Sequence, residues 1–264
     1  MVEQRKLGLR RGIPILPSLF TTANIFCGYF AVILAMRRNF TLAVVCIFVA
    51  GLADILDGRI ARMTGMSSEF GKELDSLADI ISFGVAPAIL VYTWAFSFQK
   101  PLQLQRLGAA AGFLFVICGA IRLARFNVQI AHTDKRYFVG LPIPAAAGAA
   151  ASIVLVSPQR VTDLRMCVLL SLTVLLLGLL MISKLRYRSF KDVDLRSRKS
   201  VLMVFFFALF FAAMILQPRY TLLLSAASYA MSGPASRLYH ALTRKTHPAE
   251  LRERQLRDEA EAGH

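Results

Sequence analysis

Residues 40–97 read FTLAVVCIFVAGLADILDGRIARMTGMSSEFGKELDSLADIISFGVAPAILVYTWAFS. Two apolar runs meet at a short polar stretch, and that stretch carries Asp54, Asp57, Asp75 and Asp79. About twenty helical residues cross the ~30 Å hydrocarbon layer of a bilayer. The stretch therefore predicts two membrane-spanning helices, near 40–60 and 74–97, joined at one membrane face.

Working outward, the same ruler places further spans near 17–36, 105–125, 139–157, 165–184, 200–217 and 219–238. Gln217-Pro218-Arg219 interrupts the last apolar pair, so a re-entrant or interfacial hairpin there is an alternative to two full crossings. The composition agrees with a membrane protein. Of the 264 residues 56% are hydrophobic and 18% charged, against roughly a quarter charged in an ordinary globular domain. Blocks such as Phe113–Ala120, Val168–Ile182 and Val201–Leu216 are too apolar for a water-soluble globule or a disordered chain. The fold expected is all-α and polytopic. Ile15–Met36 follows a basic leader, but it is long enough to span and lacks a small-residue cleavage pattern, so it reads as a first anchor.

The net charge of +15 points to nucleic acid or to anionic lipid. With no aromatic-basic motif and no soluble domain, lipid headgroups and phosphate substrates are the expected partners, and nucleic acid is not. If the N-terminus is cytoplasmic and sides alternate, 24 of the 31 Lys and Arg fall on cytoplasmic segments. That asymmetry follows the positive-inside rule and predicts both termini in the cytoplasm. Cys27, Cys46, Cys118 and Cys167 all sit within apolar blocks without a CxxC pair and read as small hydrophobes. Residues 244–264, rich in Arg and Glu, read as a solvated or disordered cytoplasmic tail.

Asp54 and Asp57 are three apart at the end of one span, and Asp75 and Asp79 four apart at the start of the next. Each pair shares a helix face, and a turn containing Gly65 and Gly71 brings the faces together. Each carboxylate costs ~2.5–3.5 kcal/mol at mid-bilayer, and less near the interface. A hard divalent cation, Mg²⁺ or Mn²⁺, suits such paired oxygen ligands; the bland alternative is a juxtamembrane loop whose acids face water. Gly58 and Gly71 either let helices pack closely or clear room for a ligand beside Asp57. Arg62, one turn past Gly58, is either a snorkelling flank or a phosphate contact.

The pattern D-x2-D-G-x2-A-R-x8-G-x3-D-x3-D fixes eight residues over positions 54–79, and the chain matches every one. It resembles the signature of the CDP-alcohol phosphatidyltransferase family. Segments 16–31 (LPSLFTTANIFCGYFA), 70–92, 122–127 (RLARFN) and 138–148 (FVGLPIPAAAG) look like the branch that makes phosphatidylserine from CDP-diacylglycerol. The resemblance covers roughly residues 12–190. One departure is Pro17-Ser18, where the family often has Pro-Asn.

The resemblance implies a six-helix core, here followed by two C-terminal transmembrane helices, and a homodimer in a cell (inner) membrane. It divides the chain into a core (1–190), a C-terminal pair (191–243) and a charged tail (244–264). It implies two ions per active site, the first held by Asp54, Asp57 and Asp75 and the second by Asp75 and Asp79, with Asp79 as general base. Thr21, Asn24, Gly58, Arg62 and Ser68 would contact CDP-diacylglycerol. The implied reaction is attack by the serine hydroxyl on the phosphorus bearing diacylglycerol, with loss of CMP.

The carboxylate of L-serine needs a cation, for which Arg122 and Arg125 are the candidates; positive-inside anchoring is their plainer role. Lys135, Arg136 and Lys184 stand behind them, and His132 reads as a loop residue. Glycerol phosphate, inositol phosphate or choline could replace serine as acceptor. A divalent-cation transporter is the rival from another class. It would place acids nearer mid-membrane and on several spans, whereas these cluster at one edge of two. A non-catalytic scaffold is disfavoured by the intact signature.

Overall fold

A computed structural model describes residues 15–64, 69–129, 137–188 and 200–238. Within them the chain forms helices α1 (Ile15–Met36), α2 (Phe40–Thr64), α3 (Glu69–Asp79), a π-helical turn (Ile80–Val85), α4 (Ala86–Ala95), α5 (Leu102–Gln129), α6 (Ile143–Val156), α7 (Leu164–Ile182) and α8 (Ser200–Leu216). A further helix, α9, runs over 218–238. Residues 69–95 are helical without a break. Among the described residues, five segments are long and apolar enough to cross a membrane: Leu19–Met36, Phe40–Ile60, Glu69–Ala95, Leu102–Val128 and Leu164–Ile182. The expected tail 244–264 and the loop residues His132, Lys135 and Arg136 lie outside the described residues.

The fifth expected span differs from its expectation. In place of a helix over 139–157, α6 has 14 residues, about 21 Å at 1.5 Å per residue. Residues at its start are used differently. Tyr137–Val139 forms a strand, β1, that pairs antiparallel with β2 (Arg186–Arg188), so the two elements join the approach to α6 to the exit from α7. Between β1 and α6, Gly140 has φ +81°, and its amide donates to the Leu185 carbonyl at 2.8 Å. A Cβ there would collide with the Met181 carbonyl, so the turn requires glycine.

Small residues allow the helices to approach. Ala31, Ala35, Ala43 and Ala50, almost fully buried, line the packing of α1 and α2. The two helices are joined by a tight turn in which Arg38 takes φ 64° and Asn39 Oδ1 accepts from the Leu42 amide at 3.4 Å, a cap for the start of α2. Leu19, Phe26, Phe113, Leu169, Leu172 and Phe211 are among the large apolar residues left exposed. In a membrane protein these face acyl chains rather than water. All four cysteines are free thiols.

Candidate active site

The end of α2 and the following helix, α3, carry their acidic side chains to one place. Carboxylate oxygens of Asp54, Asp75 and Asp79 lie within 4.8 Å of one another. Asp54 and Asp75 are half-buried and Asp79 is buried. Asp57 is buried too, and its Oδ2 accepts a hydrogen bond from the Thr21 hydroxyl on α1. It stands outside the set of three, although its charge acts on Asp75.

The π-helical turn begins immediately after Asp79, and Ser82, Phe83 and Gly84 within it are buried in succession. Such turns are frequent at functional sites because one extra residue re-aims the side chains around them. Ser82 Oγ donates to the Asn24 carbonyl at 2.9 Å. Opposite it, Gly28 permits contact: a Cβ there would lie 2.7 Å from the Ser82 Cα. The lock between α1 and the π turn places Asn24 beside Asp79. The Asn24 side chain is wholly buried, yet neither its Nδ2 nor its Oδ1 has a hydrogen-bond partner among the described residues.

Two more buried atoms share that condition, Asp79 Oδ1 and Arg122 Nε. Arg122 comes from α5, is 8% exposed, acts electrostatically on Asp79, and lies 5.9 Å over the Phe126 ring. Buried polar groups in folded proteins are nearly always paired, and an orphan costs about 1–3 kcal/mol. Three neighbouring residues with orphaned atoms mark a place built for a ligand.

Nearby, Asn127 Nδ2 donates to Ser76 Oγ at 3.0 Å and ties α5 to α3. Arg125 Nη1 reaches the Ile182 carbonyl at 3.4 Å and so bonds the end of α7. The two arginines named from sequence are therefore used differently: Arg122 acts electrostatically on Asp79, whereas Arg125 is engaged with backbone. Gly58 is half-buried on α2 beside Asp57. Arg62 lies on α2 one turn further on, and Ser68 lies outside the described residues.

The donor set suits a divalent ion. Three carboxylates at this separation repel one another, and hard oxygen donors match Mg²⁺ or Mn²⁺. Asp79 Oδ1 meets no hydrogen-bonding distance and angle among the described residues, which leaves a lone pair that an ion could use.

Two buried residues carried no functional signal in the sequence. Tyr187 of β2 is wholly buried, and burial together with neighbouring Tyr229 pushes its phenol up to about 12, so it remains a proton donor. Its only sequence cue is a lone aromatic within the basic run Lys184–Arg188, which charge counting treats as a cytoplasmic flank. Ser82 left no cue, since its role depends on a π turn that apolar periodicity does not reveal.

Comparison with known proteins identifies the family. Residues 14–183 match the model of the CDP-alcohol phosphatidyltransferase family. A CDP-diacylglycerol–serine O-phosphatidyltransferase of Helicobacter pylori is 39% identical over 198 residues, covering 75% of this chain and 81% of the relative. The protein of that name from Bacillus subtilis is 33% identical over 67% of this chain and 91% of its own length. An archaetidylserine synthase of Methanothermobacter thermautotrophicus is 42% identical over 53% and 58% respectively. With a clustered aspartate site on membrane-crossing helices and a family match over most of its length, the chain is an integral membrane enzyme belonging to the CDP-alcohol phosphatidyltransferase family.

Proposed function

We propose that the enzyme transfers the phosphatidyl group of CDP-diacylglycerol to the hydroxyl of L-serine, giving phosphatidylserine and CMP. The observation that carries this reading is the convergence of Asp54, Asp75 and Asp79, with a buried arginine, Arg122, acting electrostatically on Asp79. The choice of serine is supported by the names of the relatives, which are serine phosphatidyltransferases or an archaetidylserine synthase.

Asp54, Asp57 and Asp75 would hold one Mg²⁺ or Mn²⁺ and Asp75 and Asp79 a second. Bound divalent ions neutralise a diphosphate and stabilise the charge that develops on departing CMP. The protein's own groups perform the remaining tasks. Asp79 accepts the proton of the attacking hydroxyl; a carboxylate among cations is a weak base, so this transfer comes late and accounts for part of the rate. Thr21 orients Asp57 by its hydrogen bond. Asn24, Gly58, Arg62 and Ser68 contact the CDP-diacylglycerol headgroup, with Gly58 leaving space at the helix surface. Arg122 pairs with the serine carboxylate through its planar fork of donors. Arg125, bonded to the end of α7, stands at the margin of that pocket.

The acyl chains remain in the bilayer, so the reaction belongs at the membrane edge. The surplus of Lys and Arg supports placing that edge in the cytoplasm, in the inner membrane, with both termini on the same side. A six-helix core (1–190), a C-terminal pair (191–243) and a tail (244–264) remain the proposed organisation, and a homodimer the proposed assembly.

The test is CMP release by the purified protein with CDP-diacylglycerol and each of serine, glycerol phosphate, inositol phosphate and choline. Serine-dependent CMP is expected. Release with another alcohol and none with serine reassigns the acceptor, and metal flux into proteoliposomes without lipid turnover favours a transporter.

A further inference from the structure

One face of α1 reaches both helices that carry the aspartates. Thr21, Asn24 and Gly28, spaced three and four apart, are buried on that face, while Phe26, Tyr29 and Phe30 are exposed. Thr21 donates to Asp57 on α2. Seven residues on, about 10.5 Å along the axis, Gly28 abuts the π turn that follows Asp79. Ser82, three residues past Asp79 in that turn, is wholly buried, and its hydroxyl donates to the Asn24 carbonyl at 2.9 Å. A Cβ on Gly28 would lie 2.7 Å from the Ser82 Cα, a backbone atom that no change of rotamer could move aside. Among the described residues, α2 and α3 both pack on α1 and have little direct contact with one another.

The spacing of the carboxylates is therefore set through a third element. Asp54 from α2 and Asp75 and Asp79 from α3 bring oxygens within 4.8 Å of one another, and like charges at that range push apart. α1 fastens to α2 at Asp57 and to the π turn just past Asp79, so its two attachments fix how far the acid-bearing helices stand from each other. That separation matters to a cation. Mg²⁺ demands near-ideal octahedral oxygens at about 2.0–2.1 Å, whereas Ca²⁺ accepts six to eight at about 2.3–2.6 Å in adaptable arrangements. We infer that α1 is the spacer of the ion site, with Ser82 and Gly28 as positioning residues whose close contact holds the carboxylates at a separation fitted to the smaller ion and so selects Mg²⁺ over Ca²⁺. Both act through the seating of a helix, with no contact to the ion. This inference rests on the reading of the three carboxylates as an ion site.

Kd values for Mg²⁺ and Ca²⁺ are measured on the full-length protein in detergent, without substrate, from the rise in melting temperature with ion concentration. If neither ion stabilises the wild-type protein, the ion-site reading fails and this inference with it; a failure confined to the variants overturns the inference alone. Ser82→Ala deletes the hydrogen bond and keeps the Cβ. Its Mg²⁺ Kd should rise about tenfold, the lower end of what loss of a supporting contact costs a metal site. Gly28→Ala, which forces α1 off the π turn, should raise it further, toward about a hundredfold. The Ca²⁺ Kd should change by less than about threefold in both, because its coordination adapts to distance. Ala35→Gly, wholly buried at the far end of the same face, controls for general loosening of α1. Its melting temperature should fall while the ratio of the two Kd values holds. An unchanged Mg²⁺ Kd in Ser82→Ala overturns the inference, whether or not Gly28→Ala folds. So does an equal loss for Mg²⁺ and Ca²⁺, or the same shift of their ratio in Ala35→Gly.

Discussion

The two ends of the continuous helix 69–95 handle buried polarity in opposite ways. Near Ala95, polar side chains are satisfied by the protein itself. Trp94 Nε1 donates to the carbonyls of Ser157 and Gln159 at 3.0 and 2.7 Å, and Gln99 Nε2 donates to those of Ala95 and Val161 at 2.9 and 2.7 Å. Near Asp79, atoms of Asp79, Asn24 and Arg122 are buried and unpaired among the described residues. Pairing within the chain fixes the loop between α6 and α7 to the bundle. Withheld pairing leaves donors and acceptors for something that arrives later. The contrast separates a structural polar cluster from a binding one without reference to residue type, since both ends use ordinary polar side chains.

The most severe way to break that contrast is to remove divalent ions. Chelation should reduce CMP release to background, and Mg²⁺ or Mn²⁺ should restore it. Ion at a hundredfold above its Kd should also stabilise the fold by about 2.7 kcal/mol. The accompanying rise in melting temperature should disappear in Asp54→Asn and Asp75→Asn; persistence in both would remove the carboxylate set as the ion site.

Next in size, Asp79→Asn should lower kcat by about 10²–10⁴-fold, the range of a lost general base. Its melting temperature should not fall, because one of three mutually repelling charges is gone. Thr21→Val, which takes the donor from Asp57, should cost about tenfold in kcat/KM with a folded protein, on the scale of a hydrogen bond to a charged group.

The smallest effect on activity is expected at the opposite end. Trp94→Phe orphans the Ser157 and Gln159 carbonyls and should lower stability by about 1–3 kcal/mol. kcat and both KM values should stay within about twofold, since no substrate group reaches that end. A large loss of activity there, at unchanged melting temperature, would erase the distinction between the two ends.

Much of this was readable in advance because two strong constraints act locally. Bilayer thickness imposes span length, so Ile15–Met36, Phe40–Thr64 and Leu164–Ile182 fall close to where hydropathy places them. Helix periodicity puts Asp54 opposite Asp75 and Asp79 once the chain turns back. Longer-range contacts left weaker traces. The pairing of β1 with β2 shortens α6 at its start, and it joins residues nearly fifty positions apart whose side chains show no alternating pattern. Arg122 and Arg125 look alike as members of a basic flank, yet only packing turns one inward toward Asp79 and the other to the Ile182 carbonyl.

Sequence alone therefore determined the membrane class, the family and the four aspartates, because span length and residue spacing along one helix are local properties of the chain. Tertiary structure decided which polar atoms stay unpaired among the described residues, which arginine is buried beside Asp79, and that α9 packs on Tyr187. Those outcomes depend on which helix faces meet in space, and no run of residues encodes that meeting by itself.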